Sequence, residues 1–296
     1  MSEAAGVRGA WRLAPAKVNL FLHITARRPD GYHELESLVV FARDEAAADR
    51  VTVTPAADLT LAIDGPFAAG LAADDGNLVL RAAHLLRGDL RRDGNPLGAK
   101  LTLTKNLPVA SGIGGGSADA AAVLHLLNEQ WRLGHDTAAL ARIGLRLGAD
   151  LPVCVQGKPA VMTGIGEQVA PLDSLPPAWL VLVNPGIALP TREVFMALNG
   201  ATGPAQPLPR PPASAADLAI LLRERRNDLE APARFLSSAI DPVLAALKAQ
   251  SGCLLARLSG SGATCFGFFA EQRLAEHAAR MLARAHPDWW VVATAI

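Results

Sequence analysis

The sequence predicts a mixed α+β fold in two domains. Three observations point there: a length of 296 residues, apolar periods that switch repeatedly between strand-like and helix-like spacing, and the lack of an internal repeat. A chain this long exceeds the usual single domain. Two domains sharing a cleft are therefore expected, cut into residues 1–160 and 161–296.

The first part reads as sheet. Residues 12–63 alternate apolar and polar side chains in short runs at 18–25, 35–41, 50–53 and 59–63, as half-buried strands do. After the turn residues Asp74, Asp75 and Gly76, leucine and alanine recur at helical spacing over 77–92, with Gly94 and Pro96 as stop signals. A β-branched strand over 99–104 leads through a loop of small residues, 106–116, into an alanine-rich helix from Ser117 to about Arg132. A second helix over 137–147 ends at Gly148, and strands at 160–163 and 179–183 flank a proline-rich connector, 171–177. Residues 201–214 carry five prolines and read as an extended surface loop. Helices at 215–225 and 242–249, strands at 253–258 and 265–269, a helix at 272–285 and a strand at 290–293 complete the chain.

Composition excludes several classes. Half the residues are hydrophobic and 19% are charged, which rules out a disordered or fibrous chain. The 28 basic and 28 acidic residues cancel, and basic clusters stay as short as 223–226, so no nucleic-acid partner is expected. Cys154, Cys253 and Cys265 are odd in number, lack metal-type spacing and sit in apolar stretches, which predicts buried core thiols. No signal-peptide pattern opens the chain and no apolar run approaches the roughly 18 residues of a spanning helix. A cytoplasmic protein without a membrane partner is expected, as a monomer or weak homodimer.

The strongest chemical signal is the loop of Pro108, Val109, Ala110, Ser111, Gly112, Ile113, Gly114, Gly115, Gly116 and Ser117. Glycines let backbone amides approach a phosphate, and the helix that follows aims its positive end at it. Four glycines before a helix start exceed what a packing turn requires. Ser117 can cap that helix or offer its hydroxyl to a phosphate oxygen or a magnesium ion. A Walker loop needs lysine and then serine or threonine after the second glycine, and here Gly116 is followed by Ser117 and Ala118. The dinucleotide fingerprint fails too, because 106–111 separates the strand from the glycines.

The pattern from Pro108 to Ala118 resembles the central motif of the superfamily of galactokinase, homoserine kinase, mevalonate kinase and phosphomevalonate kinase, the GHMP kinases. An N-terminal lysine segment, Ala14-Pro-Ala-Lys-Val-Asn-Leu20, and a glycine-rich segment, Leu258-Ser-Gly-Ser-Gly-Ala-Thr264, match its other two motifs in order. Within it, Lys17 and Asn19 followed by Gly31, Tyr32 and His33 are similar to the 4-diphosphocytidyl-2-C-methyl-D-erythritol kinases. Asn77-Leu78 after the inserted Gly76, the segment Lys105-Asn-Leu-Pro108, Gly148-Ala-Asp150, Pro185-Gly186 with Thr191, and Asn227-Asp-Leu-Glu230 extend the similarity across nearly the whole chain.

The resemblance implies an N-terminal domain like domain 2 of ribosomal protein S5, a ferredoxin-like C-terminal domain, and phosphorylation of the 2-hydroxyl of a cytidine-diphosphate substrate by ATP with Mg2+. It implies Asp150 as general base, Lys17 as its supporting cation, and Asn77, Leu78 and Lys105 as adenine-side contacts. Asn19, Tyr32, His33, Thr191, Phe195, Gly260, Ser261 and Gly262 become substrate contacts, and no dedicated protein metal site is implied. The residues by themselves leave alternatives. Asp150 alone reads as a solvated carboxylate. Lys17 lies in an apolar strand, where an ammonium either snorkels outward or meets an anion. Tyr32 suits either a packed turn or a stacking platform for a base. A Ser-Gly-Ser-Gly turn between strands is also an ordinary hairpin.

Overall fold

A computed structural model describes residues 9–88, 97–198, 200, 202–208 and 210–296. In chain order these form β1 (Ala10–Pro15), β2 (Lys17–Arg27), β3 (His33–Phe41), a 3-10 turn (Glu45–Ala47), β4 (Ala48–Ala56) and β5 (Leu59–Asp64). Then come α1 (Leu78–Arg87), β6 (Gly98–Thr104), α2 (Gly115–Gln130), α3 (Thr137–Leu145) and α4 (Leu151–Gln156). β7 (Ala160–Thr163), β8 (Gln168–Pro171), β9 (Trp179–Asn184) and α5 (Thr191–Met196) follow. The chain ends with α6 (Ala215–Arg223), α7 (Glu230–Leu236), α8 (Ile240–Lys248), β10 (Leu255–Leu258), β11 (Cys265–Phe269), α9 (Gln272–Ala285) and β12 (Trp290–Ala295).

Packing groups these elements into two compact units that are not contiguous in sequence. The first holds residues 1–14, 48–107 and 116–156; the second holds 15–47, 108–115 and 157–296. A single cut at residue 160 therefore does not describe how the chain packs. Strand pairing is the physical reason: β3 pairs with β7, so β2 and β3 join the C-terminal residues.

The first unit is one sheet in the order β1-β4-β6-β5, with β4 antiparallel and β5 parallel to β6. Val51 and Val53 of β4 and Leu101 and Leu103 of β6 share a core with Leu124 and Leu127 of α2 and Leu86 of α1. Each such side chain contributes about 1.5–3 kcal/mol by leaving water. Ala118, Ala120, Ala121 and Ala122 are also buried, and their small side chains let the α2 backbone approach its neighbours. Helix α1 stops at Arg87 because Gly88 takes a positive φ of 46° and donates to His84 O; the remainder of the expected 77–92 helix lies outside the described residues.

The second unit has two antiparallel sheets, β2-β3-β7-β8 and β10-β11-β9-β12. The latter is built from a β-α-β-β-α-β order, as expected of a ferredoxin-like layer. Phe266, Phe268 and Phe269 are fully buried, and Leu22 and Ile24 of β2 belong to the same core as Val181, Val183 and Phe269. Cys265 is buried, whereas Cys154 and Cys253, also expected in the core, are only half-buried. The described residues of the proline-rich 201–214 segment form neither helix nor strand up to Ser214, which caps α6. It is pinned at Gly203, whose N–H donates to Ile24 O, and at Gln206, whose N–H donates to Glu36.

Candidate active site

Lys17 opens β2 and is only 4% exposed. Its ammonium donates to Asn19 Oδ1 at 3.0 Å, a partner two residues on and therefore on the same strand face. One residue further the register slips: Asn19 pairs with Val39 but Phe21 pairs with Leu38, leaving Leu20 as an extra residue. This bulge ends the polar face after Asn19 and keeps the following apolar residues buried.

The glycine loop is fastened to that strand and to the turn after β10. Lys17 N donates to Ile113 O at 2.9 Å, and Thr264 N to Ser111 O at 3.0 Å. The Ser111 hydroxyl closes the loop on itself by donating to Pro108 O at 2.6 Å. Gly112 has φ +74° and Gly114 φ +65°. A Cβ on Gly112 would lie 2.4 Å from Ser259 O and 2.6 Å from Gly262 N, so glycine is required there by both torsion and space. Gly112→Ala is expected to cost at least about 2 kcal/mol and to raise KM for ATP, read from a urea titration and from initial rates.

Ser259 ties the three signature segments together. Its hydroxyl donates to Gly112 O at 3.0 Å and accepts from Asn19 N at 3.1 Å. The rest of the turn is held by Asn227, whose side-chain amide donates to Leu258 O at 2.9 Å and Gly260 O at 2.7 Å. Asn227 belongs to a segment that carried the family resemblance without a role; its buried amide sets the shape of this turn. Ser261 Oγ meets Thr191 Oγ1 at 2.8 Å, so these two expected substrate contacts stand together.

Tyr32 and His33 follow a tight turn in which Gly31 takes φ +89° and Arg28 N donates to Tyr32 O at 2.8 Å. Tyr32 is 60% exposed, which disfavours a core-packing role. The His33 ring is 5.3 Å from the Phe195 ring with a tilt of 32°. Burial, and secondarily the charge of Arg27, hold His33 below the usual imidazole range. A neutral imidazole offers one donor and one acceptor nitrogen.

The remaining expected residues lie in the first unit. Asn77 is the N-cap of α1: its Oδ1 accepts from Val79 N at 3.0 Å and its amide donates to Ala72 O at 2.9 Å. Leu78 is half-buried beside Gly116. Helix α2 begins at Gly115, so Ser117 stands inside the first turn and is not the cap expected of it. Asp150 immediately precedes α4, a helix not foreseen in the sequence, and its carbonyl accepts from Cys154 N at 3.3 Å.

Lys105 lies in a buried network. Its ammonium, expected at the adenine, is 4% exposed and bonded to Asp49 Oδ2 and, at 2.9 Å, to Asp119 Oδ2. Asp49 Oδ1 also accepts from Asn106 N at 2.6 Å and Leu107 N at 2.8 Å. Burial pushes the Asp119 carboxyl up to about 8 against the pull of Lys105. The network anchors the residues just before the glycine loop.

Among the described residues, no group of three or more His, Cys, Asp and Glu could hold a metal ion, and no helix is long and apolar enough to cross a membrane.

Family models for the GHMP kinases N terminal domain and the GHMP kinases C terminal match residues 77–158 and 213–288. A 4-diphosphocytidyl-2-C-methyl-D-erythritol kinase of Cereibacter sphaeroides is 54% identical over 280 residues, covering 94% of this chain and 96% of its own. The protein of that name from Rhodospirillum rubrum is 51% identical, covering 95% and 90%. A crystal structure of 4-(cytidine 5'-diphospho)-2C-methyl-D-erythritol kinase superposes with a TM-score of 0.76 at 36% identity, over 96% of this chain and 98% of that one. Homoserine kinase from Cytophaga hutchinsonii shares the fold at 16% identity, with a TM-score of 0.68 over 99% and 96% of the two chains.

Proposed function

Because the chain belongs to the 4-diphosphocytidyl-2-C-methyl-D-erythritol kinase family of the GHMP kinases, we propose that it phosphorylates the 2-hydroxyl of 4-diphosphocytidyl-2-C-methyl-D-erythritol. The products are the 2-phosphate and ADP, in non-mevalonate isoprenoid precursor biosynthesis. One observation carries this reading beyond similarity: Ser259 links Gly112 of the phosphate loop to Asn19, which holds Lys17. Three segments far apart in sequence are thereby joined around one lysine.

In this reading Asp150 takes up the proton of the acceptor hydroxyl as its oxygen bonds to the γ-phosphorus and the bond to the bridging oxygen of ADP breaks. Lys17 offsets the charge that develops, and the backbone N–H groups from Gly112 to Ser117 hold the phosphates. Asn77 and Leu78 contact the nucleotide. Lys105 acts there through residues 106 and 107, which Asp49 holds just before the loop, since its ammonium already bonds Asp49 and Asp119. Tyr32 stacks on cytosine, His33 and Phe195 frame its edge, and Asn19, Thr191 and Gly260 to Gly262 contact the sugar-alcohol diphosphate. Magnesium bound with ATP would neutralise phosphate charge. Ser117, half-buried in the first turn of α2, has a hydroxyl that would fit its coordination sphere. The protein acts in the cytoplasm, as a monomer or weak homodimer.

The test is transfer from magnesium ATP to the diphosphocytidyl substrate, with homoserine, mevalonate and free methylerythritol alongside. Product from the cytidyl substrate alone is the expected result. Transfer to one of the other alcohols instead would replace the proposed acceptor, and ATP binding without transfer to any of them would favour a nucleotide-binding sensor.

A further inference from the structure

Asn19 has a side chain whose two ends differ in chemistry but scarcely in shape, so which end meets Lys17 must be set by its neighbours. The neighbour that sets it is Ser37 of β3, fully buried. A serine hydroxyl has one proton to give. Ser37 Oγ stands 2.6 Å from Phe21 O, a carbonyl that can only accept, so the proton is committed there. What remains on Ser37 is lone pairs, and these lie 2.7 Å from Asn19 Nδ2. The Asn19 nitrogen is thereby drawn to Ser37 and its oxygen turned toward the Lys17 ammonium. With the amide reversed, an N–H group would face the ammonium and an oxygen would face the Ser37 oxygen, two repulsive contacts in a buried site. The bulge at Leu20 brings Ser37 beside the Phe21 carbonyl, since Ser37 itself pairs with Leu22.

We propose that Ser37 is a positioning residue for phosphoryl transfer, acting through the Asn19 amide to fix the Lys17 ammonium. It touches neither substrate. The inference rests on the role given to Lys17 above and is tested so that the two can fail separately. In Ser37→Ala, Asn19 Nδ2 loses its acceptor and the amide is held from the Lys17 side alone. The expected result is a kcat about tenfold lower, KM values for both substrates within about twofold of wild type, and a severalfold faster acylation of Lys17 by acetic anhydride, read by mass spectrometry. Ser37→Thr, which keeps the hydroxyl, is expected to return both readouts to near wild type. Ser37→Cys fills the same space with a weak hydrogen-bonding group and is expected to resemble Ser37→Ala, which keeps the test open if the alanine variant does not fold. An unchanged kcat and Lys17 acylation rate in Ser37→Ala and Ser37→Cys would overturn the proposal, as would equal loss in Ser37→Thr. If wild-type protein transfers nothing to the cytidyl substrate, the acceptor reading fails, while the Lys17 acylation rates still decide the role of Ser37.

Discussion

Asp150→Asn retains the fold and transfers phosphoryl about 10²- to 10⁴-fold more slowly, the range lost when a positioned general base is removed. Shape is preserved in this exchange. The Asp150 carbonyl accepts from Cys154 N at the start of α4, a backbone contact that the exchange leaves in place. An amide there keeps the volume but cannot take the hydroxyl proton. Steady-state turnover followed through ADP release, together with circular dichroism and a melting curve, separates chemistry from folding. Turnover within about threefold of wild type would remove Asp150 from the mechanism.

The second large effect concerns stability and sets two aspartates apart. Asp49→Asn is expected to destabilise by about 3–5 kcal/mol, because it strips the buried Lys105 of an anion while Asp49 also accepts from two backbone N–H groups. Asp119→Asn should cost no more than about 1 kcal/mol. Burial pushes its carboxyl up against the pull of Lys105, and asparagine resembles the neutral form that burial favours. The sign of the pH effect follows. A carboxyl bound more tightly to its proton in the folded state stabilises fully below its unfolded value near 4 and loses that contribution as pH rises toward 8. Urea denaturation from pH 5 to 9 should show a decline in wild type that flattens in Asp119→Asn. Equal destabilisation by the two substitutions would contradict this division of protons.

Much of this was legible in the sequence. Strands β2 to β6 and helices α2, α3 and α9 announce themselves by period, and the glycine loop by residue type. Short elements do not. Helix α4 has six residues with Pro152 among them, α7 has seven with Pro232 inside, and β8 has four with Pro171 as its last, each too brief to display a period. Helix α5 starts behind Pro190 without a side-chain cap, so no capping signal marks it.

Within the candidate site, single residues were readable and their wiring was not. Lys105 reads as a ligand contact, and nothing in its own segment announces its bonds to Asp49 and Asp119. The Ser259 hydroxyl and the Asn227 amide are equally silent in one dimension, because their partners are backbone groups that only the tertiary fold brings near. The interleaving of the two units escaped for the same reason. Alternation reveals that a segment is a strand and says nothing of which strand it will pair with.

That interleaving has a bearing on how the molecule is made. On the ribosome, β2 and β3 emerge early, yet the strand that pairs with β3 and the residues that share a core with Leu22 and Ile24 come from the later half of the chain. A lone two-stranded hairpin is at best marginally stable in water. The nascent N-terminus must therefore wait, with apolar strands unsheltered, until synthesis is well past its midpoint. A message broken off before β9 would release a chain that still bears Lys17 and the glycine loop but lacks the C-terminal residues that complete the core around Leu22 and Ile24.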